Sequence, residues 1–144
     1  MPYDPQVVQP MRDELTRLGA VELRSPTEVD EIFASAEGTM LLVINSVCGC
    51  AAANARPAVA IATGHSAQPQ RIVTVFAGQD MEATERARAY LPGYRPSSPS
   101  IALFRSGEPV FMLERHQIEG RDAAEIARDL TAAYQRYCTD GADG

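Results

Sequence analysis

The sequence predicts an α/β fold in which a central mixed β-sheet is flanked by helices, with an N-terminal helical extension. Two nearly continuous apolar runs, Met40–Ile44 and Ile72–Phe76, are typical of central strands that are covered on both faces. The segments around them have helical spacing, and two short apolar segments near the C-terminus flank a turn, which indicates an antiparallel hairpin. Alternation of this kind is typical of α/β domains, and 144 residues fit a single domain, 1–144.

The N-terminal extension, residues 1–19, is predicted to be mostly helical. Between about Pro5 and Leu18 the apolar residues recur at helical spacing, which places on one face Val8, Met11, Leu15 and Leu18. Gly19 is suited to end this helix. A short strand is then predicted over Ala20 to Leu23.

A second helix is predicted to begin after Ser25. Ser25 is a suitable N-cap, Pro26 fits the first turn, and Glu28 completes a capping box. The residues of this helix that are predicted to face the core are Val29, Ile32, Phe33 and Ala36.

Each of the two central strands is followed by a predicted helix. The Ala-rich stretch from Cys50 to about Thr63 is predicted to be helical, with a kink at Pro57. After the second strand, a helix from about Asp80 to Tyr90 has Asp80 as its candidate N-cap.

The C-terminal part begins with a loop, Pro92 to Ser100. The hairpin strands are predicted over Ile101–Phe104 and Val110–Glu114, joined by a turn at residues 106–109. A last helix opens near Asp122 and is predicted to turn four residues inward, namely Ile126, Leu130, Tyr134 and Tyr137. The polar tail, 139–144, is expected to fray.

Composition narrows the possible functions. The net charge of −6 argues against nucleic acid and against an anionic membrane surface as partners. The N-terminus shows neither a basic region nor an apolar region of an export signal, so we expect a cytoplasmic protein. The three cysteines do not resemble a secreted disulfide framework. In a reducing compartment, a close cysteine pair is more often catalytic or metal-binding.

That pair is Cys48-Gly49-Cys50, at the junction of a buried strand and a helix. A helix N-terminus favours a thiolate through its dipole and its free N–H groups. We therefore predict that Cys48 is the attacking sulfur and that Cys50, one residue inside the helix, resolves the adduct. Gly49 is expected to let the chain turn tightly enough for the sulfurs to meet.

Two other interpretations remain open. The cysteines could be small core residues, or they could bind a metal, although a tetrahedral site needs four ligands and Cys138, His65 and His116 are scattered in the sequence. The alternative functions are therefore a non-catalytic binding protein and a thiolate metal carrier. A thiol titration with and without zinc separates these from an enzyme.

Several motifs in a fixed order resemble the bacilliredoxin family, which has a Cys-Gly-Cys motif. The resemblance extends over nearly the whole chain. The matching segments are residues 45–52, 55–58, 74–80, 96–100, 115–120 and 130–133, followed by Cys138.

The resemblance implies a thioredoxin-like fold and thiol–disulfide exchange. In that family the first cysteine attacks a protein–bacillithiol mixed disulfide, and isomerase activity is also described, so the implied partners are protein mixed disulfides and a low-molecular-weight thiol. No cofactor is implied beyond a thiol co-substrate such as bacillithiol. The resemblance also implies that Pro99, after Ser98, forms a cis peptide bond facing the cysteines, where the adjacent backbone would pair with an extended substrate.

Topology brings two further residues toward the same edge of the sheet. The second hairpin strand would return its end, with Arg115 and His116, to the edge that holds Cys48. We hypothesise that one of them supports the thiolate or an anionic adduct; a solvated charge pair is the alternative. The sequence indicates no oligomeric state.

Overall fold

A computed structural model describes residues 2–35 and 37–139 of the chain. Within these residues there are six α-helices and five β-strands. The helices are α1 (Pro5–Thr16), α2 (Pro26–Ala34), α3 (Arg56–Ala62), α4 (Met81–Arg88), α5 (Arg115–Ile118) and α6 (Ala123–Tyr137). The strands are β1 (Val21–Glu22), β2 (Thr39–Asn45), β3 (Arg71–Phe76), β4 (Ser100–Arg105) and β5 (Glu108–Leu113).

The five strands form one mixed sheet in the order β1-β3-β2-β4-β5. β3 runs parallel to both β1 and β2, whereas β4 is antiparallel to β2 and β5 to β4. In the register, Val43 of the central strand lies between Thr74 and Ile101. The carboxyl ends of β2 and β3 therefore meet the amino end of β4 at one edge of the sheet. The mixed sheet between helices is as predicted.

Alternate residues of β2 are buried on opposite faces of the sheet, which explains why the run is apolar throughout. Leu41 and Val43 pack in the core formed with α3 and α6. Met40, Leu42 and Ile44 pack in the core formed with α2 and α4. The strand that carries the cysteines at its end is thus fixed from both sides.

The hairpin turn is tighter than predicted. β5 begins at Glu108 rather than at Val110, and Arg105 pairs with Glu108. Only Ser106 and Gly107 connect the strands, both with positive φ (51° and 81°), as a two-residue hairpin turn of this hand requires. Pro109, expected in the turn, lies within β5, which is an edge strand with a register shift at this point, where a missing N–H is tolerated.

The predicted helix from Cys50 to Thr63 is not α-helical throughout. A π-helical turn, Ala51–Ala55, precedes α3, and the Arg56 N–H donates to the Ala51 carbonyl. Pro57 is close to the N-terminus of α3 and cannot donate to a carbonyl in the preceding turn. The irregularity expected at Pro57 is therefore a widened turn on its N-terminal side.

Helix α1 is attached to the sheet by a buried arginine. The Arg12 side chain is 4% exposed and makes ion pairs with Glu22 and with Asp80, the latter at 2.8 Å. Asp80 is the N-cap of α4 as predicted, but its carboxylate makes no capping hydrogen bond because it accepts from Arg12 instead. Ser25 caps α2 as predicted, by accepting the N–H of Glu28, but the predicted capping box does not close, because the Glu28 carboxylate accepts the N–H of Arg24 instead of that of Ser25. At α6 a capping box does form between Asp122 and Glu125.

Some predicted details differ at the ends of elements or fall outside the described residues. α1 ends at Thr16, and Leu18 packs against the core from the turn that follows. Ala36 and residues 140–144 of the predicted tail lie outside the described residues. In the described part of the chain, no helix has both the length and the apolar character needed to cross a membrane.

Candidate functional site

The cysteine pair lies where the central strand passes into a helix, as predicted. β2 ends at Asn45, and the chain bends at residues 47–48. The carbonyl of Cys48 accepts hydrogen bonds from the N–H groups of Ala51 and Ala52, at 3.1 and 3.3 Å. Cys48 thus lies at the first turn of the helical segment.

The two thiols are close together and half-buried. Both cysteines are free, and their Sγ atoms are 2.9 Å apart. Gly49 between them is exposed. Its φ is outside the left-handed region, and a Cβ built there would meet no atom of the described residues within 4 Å, its two chain neighbours aside. The tight turn expected to need Gly49 therefore places no steric requirement on it, and the surface beside the thiols is open.

The pKa of Cys48 is lowered, as expected for the attacking thiol. Burial acts to raise it, but several hydrogen bonds to the thiolate outweigh this effect. The thiol of Cys50 and the hydroxyl of Ser46 are the main donors, followed by the backbone N–H groups of Ala51 and Cys50. The helix N-terminus therefore contributes, but side-chain hydrogen bonds contribute more.

The pKa of Cys50 is shifted in the opposite direction. Burial raises it, and the hydrogen bond to Cys48 and the negative charge of that thiolate raise it further. The positive charge of Arg115 acts against this and lowers it. At intermediate pH the pair therefore holds one thiolate, on Cys48, and one thiol proton, on Cys50.

Arg115 connects the thiols to the loop before β4. The Ser98–Pro99 peptide bond is cis, as predicted, and Pro99 is buried. Ser100, next in the chain, pairs with Ile44 near the end of β2, which places this loop beside the strand that leads to the cysteines. Arg115 Nη1 donates to the Ser98 carbonyl at 3.2 Å, and the Arg115 N–H donates to Ser97 Oγ at 3.3 Å.

His116 and Arg115 begin the short helix α5, which the sequence did not predict. Both side chains are exposed, and Arg115 interacts electrostatically with both thiols. The two residues line an open depression of about 560 Å³ together with Arg95, Ser97 and Glu119, among others. Arg115 also forms an ion pair with Glu119 at 3.2 Å.

Three polar residues beneath the thiols were not singled out from the sequence, namely Asn45, Ser46 and Arg56. All three are buried, and Arg56 is only 2% exposed. A hydroxyl two residues before Cys48 and a lone arginine in an Ala-rich helix were the available signals. In a sequence, a serine that supports the thiols looks the same as an ordinary turn residue, and a buried arginine looks the same as one on an exposed helix face.

The remaining predicted candidates lie elsewhere. Cys138 is half-buried at the end of α6. Burial raises the pKa of Tyr134 above its usual range, and the negative charge of a Cys138 thiolate raises it further. His65 is near Gln135 of α6, with Nε2 3.3 Å from its Oε1. Among the described residues, no three or more His, Cys, Asp or Glu side chains form a group that could hold a metal ion.

Related sequences extend over almost the whole chain. A family model described as disulphide isomerase matches residues 3–138. A bacilliredoxin of Salinibacter ruber is 64% identical over 97% of this chain and 84% of its own length. A bacilliredoxin of Koribacter versatilis is 50% identical over 94% of each chain.

Solved structures with low sequence identity share the fold. A putative oxidoreductase with a thioredoxin fold superposes with a TM-score of 0.57 at 15% identity, covering 81% of this chain and 93% of its own. Oxidised thioredoxin O2 of Arabidopsis thaliana gives a TM-score of 0.55 at 17% identity, covering 84% and 96%. This chain has the thioredoxin fold, and by the match to the disulphide isomerase model and to these relatives it belongs to the bacilliredoxin family.

Proposed function

We propose that this protein is a cytoplasmic thiol–disulfide oxidoreductase that removes a low-molecular-weight thiol, such as bacillithiol, from protein mixed disulfides. A thiol-redox function follows from the family and the fold. The observation that carries the assignment of an attacking and a resolving thiol is the 2.9 Å separation of the Cys48 and Cys50 sulfurs, whose pKa values are displaced in opposite directions. One thiolate is ready to attack, and its partner is held protonated. Bacillithiol is proposed from the similarity to bacilliredoxins.

In the first step the Cys48 thiolate attacks the low-molecular-weight sulfur of the mixed disulfide. A new disulfide forms between Cys48 and that thiol, the old disulfide breaks, and the target protein leaves as a thiolate. The exposed Gly49 leaves the surface open beside the attacking sulfur. The backbone of the loop at Ser98 and Pro99 is the proposed contact for an extended target.

The second step is the attack of Cys50 on Cys48, and the first step makes it easier. Once Cys48 is in a disulfide it has no negative charge, so the charge that raised the pKa of Cys50 is gone. The positive charge of Arg115 remains and still favours the Cys50 thiolate. Cys50 therefore becomes nucleophilic after Cys48 has reacted. Its attack releases the low-molecular-weight thiolate and leaves a Cys48–Cys50 disulfide, which two electrons from an external thiol reductant restore to thiols.

Trapping the intermediate tests this sequence of steps. We expect a Cys50→Ala variant, incubated with a protein that carries a bacillithiol mixed disulfide, to gain the mass of one bacillithiol on Cys48 while the target protein loses it. The Cys48→Ala variant is expected to gain no adduct, and a Cys138→Ala variant is expected to react as the unmodified chain does. Absence of an adduct on Cys48, with the target still modified, would refute the proposal.

Disulfide isomerisation uses the same first step. If Cys48 attacks a protein disulfide and the target rearranges before Cys50 intervenes, the target leaves with a new pairing and no net electron transfer. A scrambled protein substrate and a bacillithiolated one, compared at equal concentration, give the relative rates of isomerisation and dethiolation.

A further inference from the structure

We propose that Arg56 is a positioning residue for the Cys48 thiolate, and that Glu14 of the N-terminal helix α1 holds Arg56 in place. The inference rests on the proposed role of Cys48 as the attacking thiol. It concerns how the turn before that residue is fixed.

Arg56 is a buried cation beneath the turn. Its Nη1 donates to the side-chain oxygen of Asn45 and to the carbonyl of Ser46, both at 2.9 Å. The side chain is 2% exposed, so its charge needs compensation in a medium that solvates ions poorly. The guanidinium therefore fixes the segment at the end of β2 through two acceptors.

Ser46 transmits this position to Cys48. The hydroxyl oxygen of Ser46 accepts the N–H of Cys48 at 3.1 Å, and the hydroxyl hydrogen bond to the Cys48 thiolate is one of the interactions that lower the pKa of that thiol. Asn45 Oδ1 also accepts the N–H of Ser46 at 2.9 Å. Arg56 therefore holds the carbonyl of the same residue whose hydroxyl reaches the reactive sulfur.

Helix α1 supports this network at two points. Glu14 Oε1 is 3.1 Å from Arg56 Nε, in an ion pair that is not aligned as a hydrogen bond. Asn45 Nδ2 donates to the carbonyl of Met11 at 3.2 Å. The N-terminal extension is thus in direct contact with the residues that position the thiol, in addition to its packing against the core.

A double-mutant cycle on the full-length chain tests the inference. The readout is the pH profile of Cys48 alkylation by iodoacetamide, followed on the Cys48 peptide by mass spectrometry. We expect Ser46→Ala to reduce the thiolate-to-thiol ratio of Cys48 about tenfold and Arg56→Met to reduce it about three- to tenfold. Because Arg56 acts through Ser46, we expect the double variant to match Ser46→Ala alone.

A matched control separates positioning from stability. Arg12 is also buried and paired with carboxylates, but its hydrogen bonds go to Glu22 and Asp80. Arg12→Met loosens α1 but removes no donor or acceptor of the Arg56 network, so we expect it to lower stability and to shift the pH profile of Cys48 less than Arg56→Met does. Glu14→Gln, at a half-exposed site, is expected to shift the pH profile of Cys48 alkylation in the same direction as Arg56→Met but by a smaller amount. If Arg56→Met does not fold, the result for Glu14→Gln tests the positioning role by itself.

The possible results are distinct. Additive effects of Ser46→Ala and Arg56→Met, or an unchanged profile in both Arg56→Met and Glu14→Gln, would overturn the positioning role. If Cys48 of the unmodified chain reacts no faster at neutral pH than a thiol in the unfolded chain, the proposed function fails instead. A fast Cys48 in the unmodified chain with no response to Arg56→Met removes only the present inference.

Discussion

Replacement of Cys50 tests whether it activates Cys48 by donating a hydrogen bond. Cys50→Ala removes the donor, whereas Cys50→Ser replaces the thiol with a hydroxyl that can donate to the same thiolate. A hydrogen bond to a charged group contributes about 1.5–3 kcal/mol, and we take the lower end because a thiol is a weak donor and the site is half-buried. About 1.4 kcal/mol corresponds to a tenfold change in the thiolate-to-thiol ratio, so Cys50→Ala is expected to raise the pKa of Cys48 accordingly.

The rate of disulfide exchange by Cys48 is expected to change less than its thiolate-to-thiol ratio does. A more basic thiolate is more nucleophilic, and a Brønsted coefficient of about 0.4–0.5 converts a tenfold rise in basicity into about a threefold faster reaction of the thiolate itself. Below both pKa values, Cys50→Ala is therefore expected to react about threefold more slowly than Cys50→Ser. Above both pKa values it is expected to react about threefold faster, so the two profiles cross.

The assay is the initial rate of reaction with a small chromogenic disulfide over a pH series. Both variants are made in a Cys138→Ala background so that Cys48 is the single thiol. Coincident profiles for the two variants would show that hydrogen bonding from residue 50 does not set the pKa of Cys48. A profile for Cys50→Ala displaced to lower pH would refute the reasoning outright.

Three other predictions follow from the site. Arg115→Gln is expected to raise the pKa of Cys50 and to slow the attack of Cys50 on a Cys48 adduct by at most about fivefold. Because Arg115 is exposed, added salt should reduce the difference in rate between the variant and the unmodified chain, and a difference that persists in high salt would contradict this prediction. Gly49→Ala is expected to increase the free energy of unfolding by about 0.4–1 kcal/mol in urea titrations, since neither φ nor space requires glycine, and a loss of stability would contradict this. The reduced chain should differ from the Cys48→Ala/Cys50→Ala variant in how its stability depends on pH. Its relative stability should rise between the lowered pKa of Cys48 and about 8.5, the pKa of a thiol in the unfolded chain, and should fall above that pH because the pKa of Cys50 is raised. Urea titrations over a pH series that show no maximum in the stability difference would contradict this prediction.

The fold was predictable because its main elements carry strong local signals. The central strand is buried on both faces and is apolar at every position from Met40 to Ile44. Ser25, predicted as an N-cap, marks the start of α2 at the residue where the structure has it. The errors occur where tertiary contacts override local preference, as at Asp80, whose carboxylate pairs with Arg12 instead of capping α4.

The placement of the two thiols of the candidate site could be predicted from the sequence, whereas the residues that support them could not. Cys48 and Cys50 are marked by their spacing and by the strand before them. The contacts of Arg56 with Asn45 and of Asn45 with α1 join segments that are 11 and 34 residues apart, and no periodicity predicts such pairings. In a sequence, a buried arginine in a helix looks the same as an exposed one.

The cause of the Cys48 activation shows what this support changes. A helix N-terminus alone predicts a lowered pKa, and the N–H groups of Ala51 and Cys50 do act in that direction. However, the helical segment after Cys48 is a π-helical turn, and the stronger contributions come from the side chains of Cys50 and Ser46. A thiol donor differs from a helix N-terminus in what happens after the first step: once Cys48 is in the adduct it has no negative charge, so the Cys50 proton is no longer held by a thiolate and can be lost when Cys50 attacks. The pair therefore favours a thiolate on Cys48 before the adduct forms and a thiolate on Cys50 after it has formed, whereas backbone N–H groups at a helix start are the same before and after the first step.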